Sequence, residues 1–145
     1  MKTAWLTALV FASALWSSGG SAIEPYTVKP SEIAQMPDYC QAKLGVAEKQ
    51  ADWGARFGAL WIDMHHYCHG LKFIQRASRP GITVQDRGFY LNGALGEFDY
   101  VLNSKNAPGH WFLPQIHLEK ALVYGRMGQH AQAAAEYRQA RAPRQ

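Results

Sequence analysis

The chain has 145 residues and a hydrophobic fraction of 48%, which is enough for one domain with a buried core. Its formal net charge is +4, and its Lys and Arg residues are scattered rather than clustered. Because a scattered basic excess favours solubility rather than binding to a polyanion, we expect no nucleic-acid partner.

Residues 1–22 have the three-part layout of a secretory signal peptide. Lys2 precedes an apolar run from Ala4 to about Trp16, and small residues follow up to Ala22. The run is shorter than the ~20 residues that a membrane-spanning helix needs. We therefore predict cleavage after Ala22, a periplasmic or secreted mature chain, and no membrane span after cleavage.

Export determines the state that we expect for the two cysteines. In an oxidising compartment, Cys40 and Cys68 are more stable bonded to each other than as free thiols. The sequence therefore predicts a Cys40–Cys68 disulfide that holds the first short helix against a later one.

The mature chain begins with a segment over 23–36 that we expect to be extended, because two prolines interrupt any clean period. A helical domain over 37–142 follows. Its first short helix is predicted over 37–50, and two glycines within 53–58 indicate a turn or a helix interruption.

The segment over 60–77 has the spacing of a helix with two apolar sides. A helix of this kind is usually sandwiched between neighbouring elements. Pro and Gly in the following SRPGIT segment end it. One stripe consists of Leu60, Met64, Tyr67, Leu71 and Ile74, and the opposite side carries Ile62, His66, His69 and Phe73.

Two further helical segments and a hairpin turn complete the chain. Thr83 and Asp86 form a capping box that begins a helix ending near residue 102. The last hairpin has helices from Pro114 to about Met127 and over 130–142. No segment shows sustained strand alternation, so the predicted fold class is all-α, built of antiparallel helical hairpins.

Small and aromatic residues recur at regular spacing over 112–142. This pattern resembles a tetratricopeptide repeat, in which small residues lie where two helices cross and aromatic residues fill the space beside them. We therefore expect Ala121 and Ala133 at a helix crossing. The matching residues are Ala121, Tyr124 and Gly128 in the first half and Ala133, Tyr137 and Ala140 in the second.

A looser copy of the pattern precedes this one, over 60–102. Gly70 and Phe73 match the first helix of a repeat, and Ala94 and Phe98 match the second, with an insertion between them. The resemblance, to repeat proteins of the exported bacterial type, implies a short solenoid of tetratricopeptide-like hairpins.

Repeat proteins of this class are chiefly protein-binding scaffolds, whose stacked hairpins hold a segment of a partner. The resemblance therefore implies a periplasmic adaptor that binds another envelope protein and needs no cofactor. The residues that define the repeat are packing residues, so they do not identify that partner.

The sequence MHHYCHG, residues 64–70, keeps a metal site open as an alternative. His65 and His69 lie one helical turn apart and can chelate one ion, and Met64 and Cys68 suit Cu(I) if the thiol is free. Adjacent helix positions point about 100° apart, however, so one ion cannot readily collect all four. We favour packed histidines at a helix interface, with a small periplasmic copper-binding protein as the alternative.

Nothing in the sequence has the arrangement of a catalytic site, so we predict that the protein is not an enzyme. Cys68 and His69 are adjacent on a helix and point apart, and no serine lies in a recognisable nucleophile motif. The acidic residues of the helical segments are expected to face solvent. They are Asp63, Glu97, Asp99 and Glu119.

Overall fold

A computed structural model of the protein describes residues 23–45 and 47–143, with the side chain of Ala47 left out. The predicted signal peptide lies outside the described residues. Within them all regular secondary structure is helical, which confirms the all-α fold class. No helix in this part of the chain is long and apolar enough to cross a membrane. The helices are α1 (Pro30–Ile33), α2 (Asp38–Leu44), α3 (Gln50–Phe57), α4 (Met64–Ala77), α5 (Val84–Leu102), α6 (Leu113–Arg126) and α7 (His130–Arg141), with short 3-10 helices at Ala47–Lys49 and Gly58–Ile62.

The helix boundaries follow from local chemistry at several points. The Thr83 side chain accepts a hydrogen bond of 3.0 Å from the Asp86 amide, so the predicted N-cap of α5 is confirmed. Gly128, at φ 73°, makes the left-handed turn between α6 and α7.

The predicted interruption over 53–58 is wrong for most of its length, because α3 continues to Phe57. Gly54 is tolerated in this helix since the Trp61 ring packs against it, and a Cβ there would lie 3.3 Å from Trp61 Cδ1. The chain bends only at Gly58, whose φ of 53° suits a glycine. A 3-10 helix then leads into α4, so α4 begins at Met64 rather than at residue 60.

Helix α4 lies at the centre of the molecule. It packs against α5 as an antiparallel hairpin, against α2 on another side, and under the N-terminal segment. Helix α6 packs against α5 and pairs with α7. The largest fully buried apolar side chains all belong to this central packing. They are Phe57, Leu60, Met64, Tyr67, Phe98, Val101, Ile116 and Val123.

Candidate functional site

A disulfide joins α2 to α4, as the sequence predicts. Cys40 on α2 and Cys68 on α4 are bonded, with their Cα atoms 5.4 Å apart, and both are fully buried. The bond fixes α2 against the central helix, and it leaves no free thiol in the described chain.

The histidines proposed as metal ligands each have one ring nitrogen engaged by a neighbour. His65 Nδ1 lies 2.8 Å from the Ile62 carbonyl oxygen, and His69 Nδ1 lies 3.1 Å from Lys72 Nζ. The two rings are nearly perpendicular, with centroids 6.3 Å apart. No three His, Cys, Asp or Glu side chains in the described chain are grouped so that they could hold a metal ion. The soft-metal alternative also loses Cys68, whose sulfur is in the disulfide.

His66 and His69 pack against polar and aromatic side chains. His66 Nδ1 lies 2.7 Å from Glu97 Oε2, and its ring stacks on Tyr100 at 3.6 Å between centroids. The Tyr26 hydroxyl donates to the other oxygen of Glu97, and the Tyr26 ring contacts His69. His66 therefore lies at the interface of α4 and α5, and His69 lies beside the N-terminal segment.

We call residues 23–33 the N-terminal strap, because buried cations of α4 bind it to the core. The Arg76 guanidinium is fully buried and donates to both carboxylate oxygens of Glu32, at 2.8 and 2.9 Å. It also donates to the backbone carbonyls of Pro25 and Thr27. A segment that the sequence predicted to be an extended lead-in is thus held by a buried ion pair and ends in a helical turn, α1.

Lys72 holds the strap one turn earlier on α4. Its ammonium donates to the Tyr26 carbonyl at 2.5 Å and lies 3.8 Å from the centre of the Tyr26 ring. Burial, with Arg76 adding to it, lowers the pKa of Lys72 to about 8. Burial also lowers the pKa of His69 to about 4, and Lys72 adds to that effect. His69 is therefore neutral at neutral pH.

The looser repeat pattern marks a close helix contact. Gly70 of α4 faces the Phe98 ring of α5 so closely that a Cβ would lie 2.4 Å from Phe98 Cε1. Phe73 and Ala94 are buried at the same interface. Small residues here let two helices approach, and the aromatic rings fill the space beside them.

The more regular pattern, over 112–142, lies at an open cleft rather than in a closed helix interface. Ala121 and Ala133 are half-buried and line a cleft between α6 and α7. Tyr137 is 50% exposed, while Tyr124 and Ala140 are half-buried. Helix α7 has no buried residue at all.

Ion pairs attach α7 to the rest of the protein in place of apolar burial. Lys120 Nζ lies 2.6 Å from a Glu136 oxygen and 2.7 Å from an Asp99 oxygen. His117 Nδ1 lies 2.6 Å from the other Glu136 oxygen. These contacts orient α7 and leave its apolar side chains free to line the cleft.

Two neighbouring clefts are lined by residues of α6. The apolar cleft, of about 490 Å³, lies between α6 and α7. The inner cleft, of about 260 Å³, lies where α2 and α4 meet α6. Gln115 and Glu119 line both. The apolar cleft has walls of Leu118, Ala121, Leu122, Ala133, Ala134 and Tyr137; the inner cleft includes Met36, Tyr39, Tyr67, Leu71 and Ile74.

The acidic residues show where the expectation of solvent exposure fails. Asp63 is buried, because its carboxylate caps the α5–α6 loop and accepts a 2.9 Å hydrogen bond from Asn106. Glu97 is half-buried under Tyr26 and His66. Glu119 is half-buried at the junction of the clefts, where burial raises the pKa of its carboxyl group.

Comparison with protein-family models, curated proteins and solved structures found no match.

Proposed function

We propose that the protein is a tetratricopeptide-like adaptor of the cell envelope that binds an amphipathic helix of another protein in the apolar cleft. The observation that carries this proposal is the state of α7, which has no buried residue although it forms one wall of an apolar cleft of about 490 Å³. Leu122 and Tyr137 on the two walls are 60% and 50% exposed.

The form of the cleft favours a helix over an extended strand. Its walls are two antiparallel helices, so they present ridges and grooves of side chains, and the described chain has no sheet edge to which a strand could be added. In a stack of hairpins, the next helix covers the same kind of surface. A partner helix with apolar residues on one face would therefore bury Leu122 and Tyr137.

The remainder of the protein supports this cleft as a scaffold. The disulfide fixes α2, and Arg76 and Lys72 fix the strap, so the central hairpin is closed on several sides. Binding to a preorganised surface costs less conformational entropy than binding to one that must first fold. The disulfide also suits the oxidising compartment that we propose for the mature chain.

A peptide-binding measurement tests this function. The probe is a 14-residue amphipathic helix of leucine and glutamine, labelled with a fluorophore, and fluorescence anisotropy reports its affinity. We expect Leu122→Glu to weaken binding at least about tenfold, because the charge would be buried under the probe.

Val84→Glu is the matched control, because Val84 is 87% exposed at the start of α5 and lines neither cleft. It should bind the probe as the parent does. Failure of the parent to bind, or equal binding by Leu122→Glu and the parent, would contradict the proposal.

A further inference from the structure

The two clefts share one charged side chain. Among the described residues that line either cleft, Glu119 alone carries a charge, and the others are apolar, aromatic or amide side chains. Glu119 is half-buried on α6, at the point where a helix lying in the apolar cleft would approach α2 and α4. Its carboxylate is therefore the charged feature that a ligand in the clefts would meet.

Glu119 differs from the other carboxylates at helix contacts. Glu32 binds two arginines, and Glu136 binds Lys120 and His117. In the described chain, Glu119 accepts one hydrogen bond, from the Gln115 amide on the same helix at 2.9 Å, and has no cation within 4.0 Å. A half-buried carboxylate without a cation partner is stabilised when a cation binds to it.

The surroundings of Glu119 suit a cation on a long apolar stem. Half-buried Tyr39 lines the inner cleft, and aromatic faces attract Lys and Arg. Tyr67, whose ring centroid lies 6.1 Å from that of Tyr39, is fully buried and does not offer its ring face to a ligand. Burial raises the pKa of Tyr67, and the Tyr39 hydroxyl and the Glu119 carboxylate add to that effect, so the tyrosines stay neutral. Leu71 and Ile74 offer apolar contact to the methylene groups of such a side chain.

We propose that the docked helix carries a lysine or arginine whose cation pairs with Glu119 at the junction of the two clefts. This inference rests on the proposed function, since it assumes a helix in the apolar cleft. It assigns the partner a chemistry: an apolar face that covers Leu122 and Tyr137, and one basic residue at the edge of that face. An acidic partner helix would instead place like charges together in a partly desolvated cleft.

The test compares two probes that differ in one side chain. Both are the leucine–glutamine helix, with either lysine or norleucine at one position on the border of the apolar face. The position that would face Glu119 is not known in advance. A short series of probe pairs therefore places the lysine or norleucine at successive positions along the border of the apolar face. We expect one register at which the parent protein binds the lysine probe about tenfold more tightly than the norleucine probe, as a close charge pair provides.

Glu119→Gln should abolish that preference while it still binds the norleucine probe. Glu48→Gln is the control, because Glu48 is exposed on a 3-10 helix and lines neither cleft; it should keep the preference. Equal affinity for lysine and norleucine at every register, or a preference that survives Glu119→Gln, would overturn the inference and leave the proposed function standing.

Failure of every probe to bind would instead overturn the proposed function, and this inference with it. Analytical sedimentation of the free protein measures whether it forms a dimer. A second copy is a possible occupant of the cleft, because α7 itself carries two basic residues, Arg138 and Arg141, that can pair with Glu119. A stable dimer that excludes the probes and that Glu119→Gln dissociates would show a second copy there, and would contradict a partner of another kind.

Discussion

The two helical hairpins carry the same type of residue pattern and differ in what covers it. In α4/α5, Gly70 and Phe98 meet in a closed interface, and the strap, α2 and α6 cover the surrounding faces. In α6/α7, the matching Ala121 and Tyr137 border an open cleft. The repeat pattern therefore indicates which residues lie where two helices pack. Whether those residues are buried depends on which other elements cover the hairpin.

The largest expected effect comes from the ion pair that closes the first hairpin. Glu32→Gln removes the carboxylate that pairs with both Arg76 and Arg79, and it leaves the fully buried Arg76 only the longer 3.3 Å contact with Glu24, so the free energy of unfolding should fall by about 3–5 kcal/mol. Glu136→Gln, at the ion pairs of α7, should cost about 1 kcal/mol because that site is nearer solvent. Urea unfolding of both variants measures the difference, and equal losses would contradict the contrast between the hairpins.

Reduction of the disulfide should also act on the closed part of the molecule. The bond has a sequence separation of 28, and the chain-entropy model gives it about 3.5 kcal/mol. We expect a reductant or Cys68→Ser to lower the melting temperature and to increase amide exchange in α2. Labelling of two thiols in the denatured protein, isolated without reductant, would show that no such bond forms.

A substitution at the closest helix contact comes next. Gly70→Ala would place a Cβ 2.4 Å from the Phe98 ring and should cost about 1–3 kcal/mol through overpacking. Gly125→Ala is the matched change in α6, where a Cβ meets nothing within 4 Å, and it should stabilise by about 0.5–1 kcal/mol. Thermal unfolding of the two variants should therefore shift in opposite directions; a shared direction would count against this packing.

The free energy of unfolding should fall in acid in two steps. The first step is protonation of His69 on α4, and the second is protonation of Glu24 in the strap. The folded-state pKa of His69 is lowered to about 4, so the unfolded state binds the proton more tightly and stability falls as pH decreases from 6.5 to 4. Hydrogen bonds from Lys29 and Arg79 lower the pKa of Glu24 to about 2, so its contribution is lost between pH 4.5 and 2.

The first loss should amount to about 1–2 kcal/mol, less than the full shift implies, because the ring is partly exposed. His69→Gln should flatten the pH dependence of unfolding between 6.5 and 4. An unchanged slope in that variant would assign the acid sensitivity to other groups.

The smallest expected effect belongs to the open cleft. Ala133→Leu adds a side chain to a site with room for it, so the free energy of unfolding should change by no more than about 0.5 kcal/mol. Ala94→Leu, at a fully buried position of α5, should cost about 1–3 kcal/mol. Comparable destabilisation by both changes would show that the cleft is closed in solution.

The sequence predicted helix bounds, a helix cap and the disulfide, because these depend on the spacing and type of a few residues. Helix spacing gave α5, α6 and α7 to within a residue or two, and the Thr83 cap and the Cys40–Cys68 pairing agree with the structure. The interruption at 53–58 was misplaced because Gly54 packs under Trp61, a contact that no local rule includes.

Long-range polar contacts could not be predicted in the same way. Arg76 and Glu32 are distant in sequence, and neither stands in a motif, so only the path of the strap brings them together. The burial of Asp63 and Glu119 likewise depends on which loop or helix lies over them. Helical periodicity placed Glu119 on a solvent face because it contains no information about α2.

Hydrogen exchange, followed by mass spectrometry with and without the leucine–glutamine helix, tests the central claim most directly. The claim is that α4/α5 forms a closed scaffold and that α6/α7 presents the docking cleft. We predict that amides of α7 exchange faster than those of α4 in the free protein, and that the probe slows exchange in α6 and α7 alone. Protection that appears in α4/α5 or in the strap, or no protection anywhere, would contradict the claim.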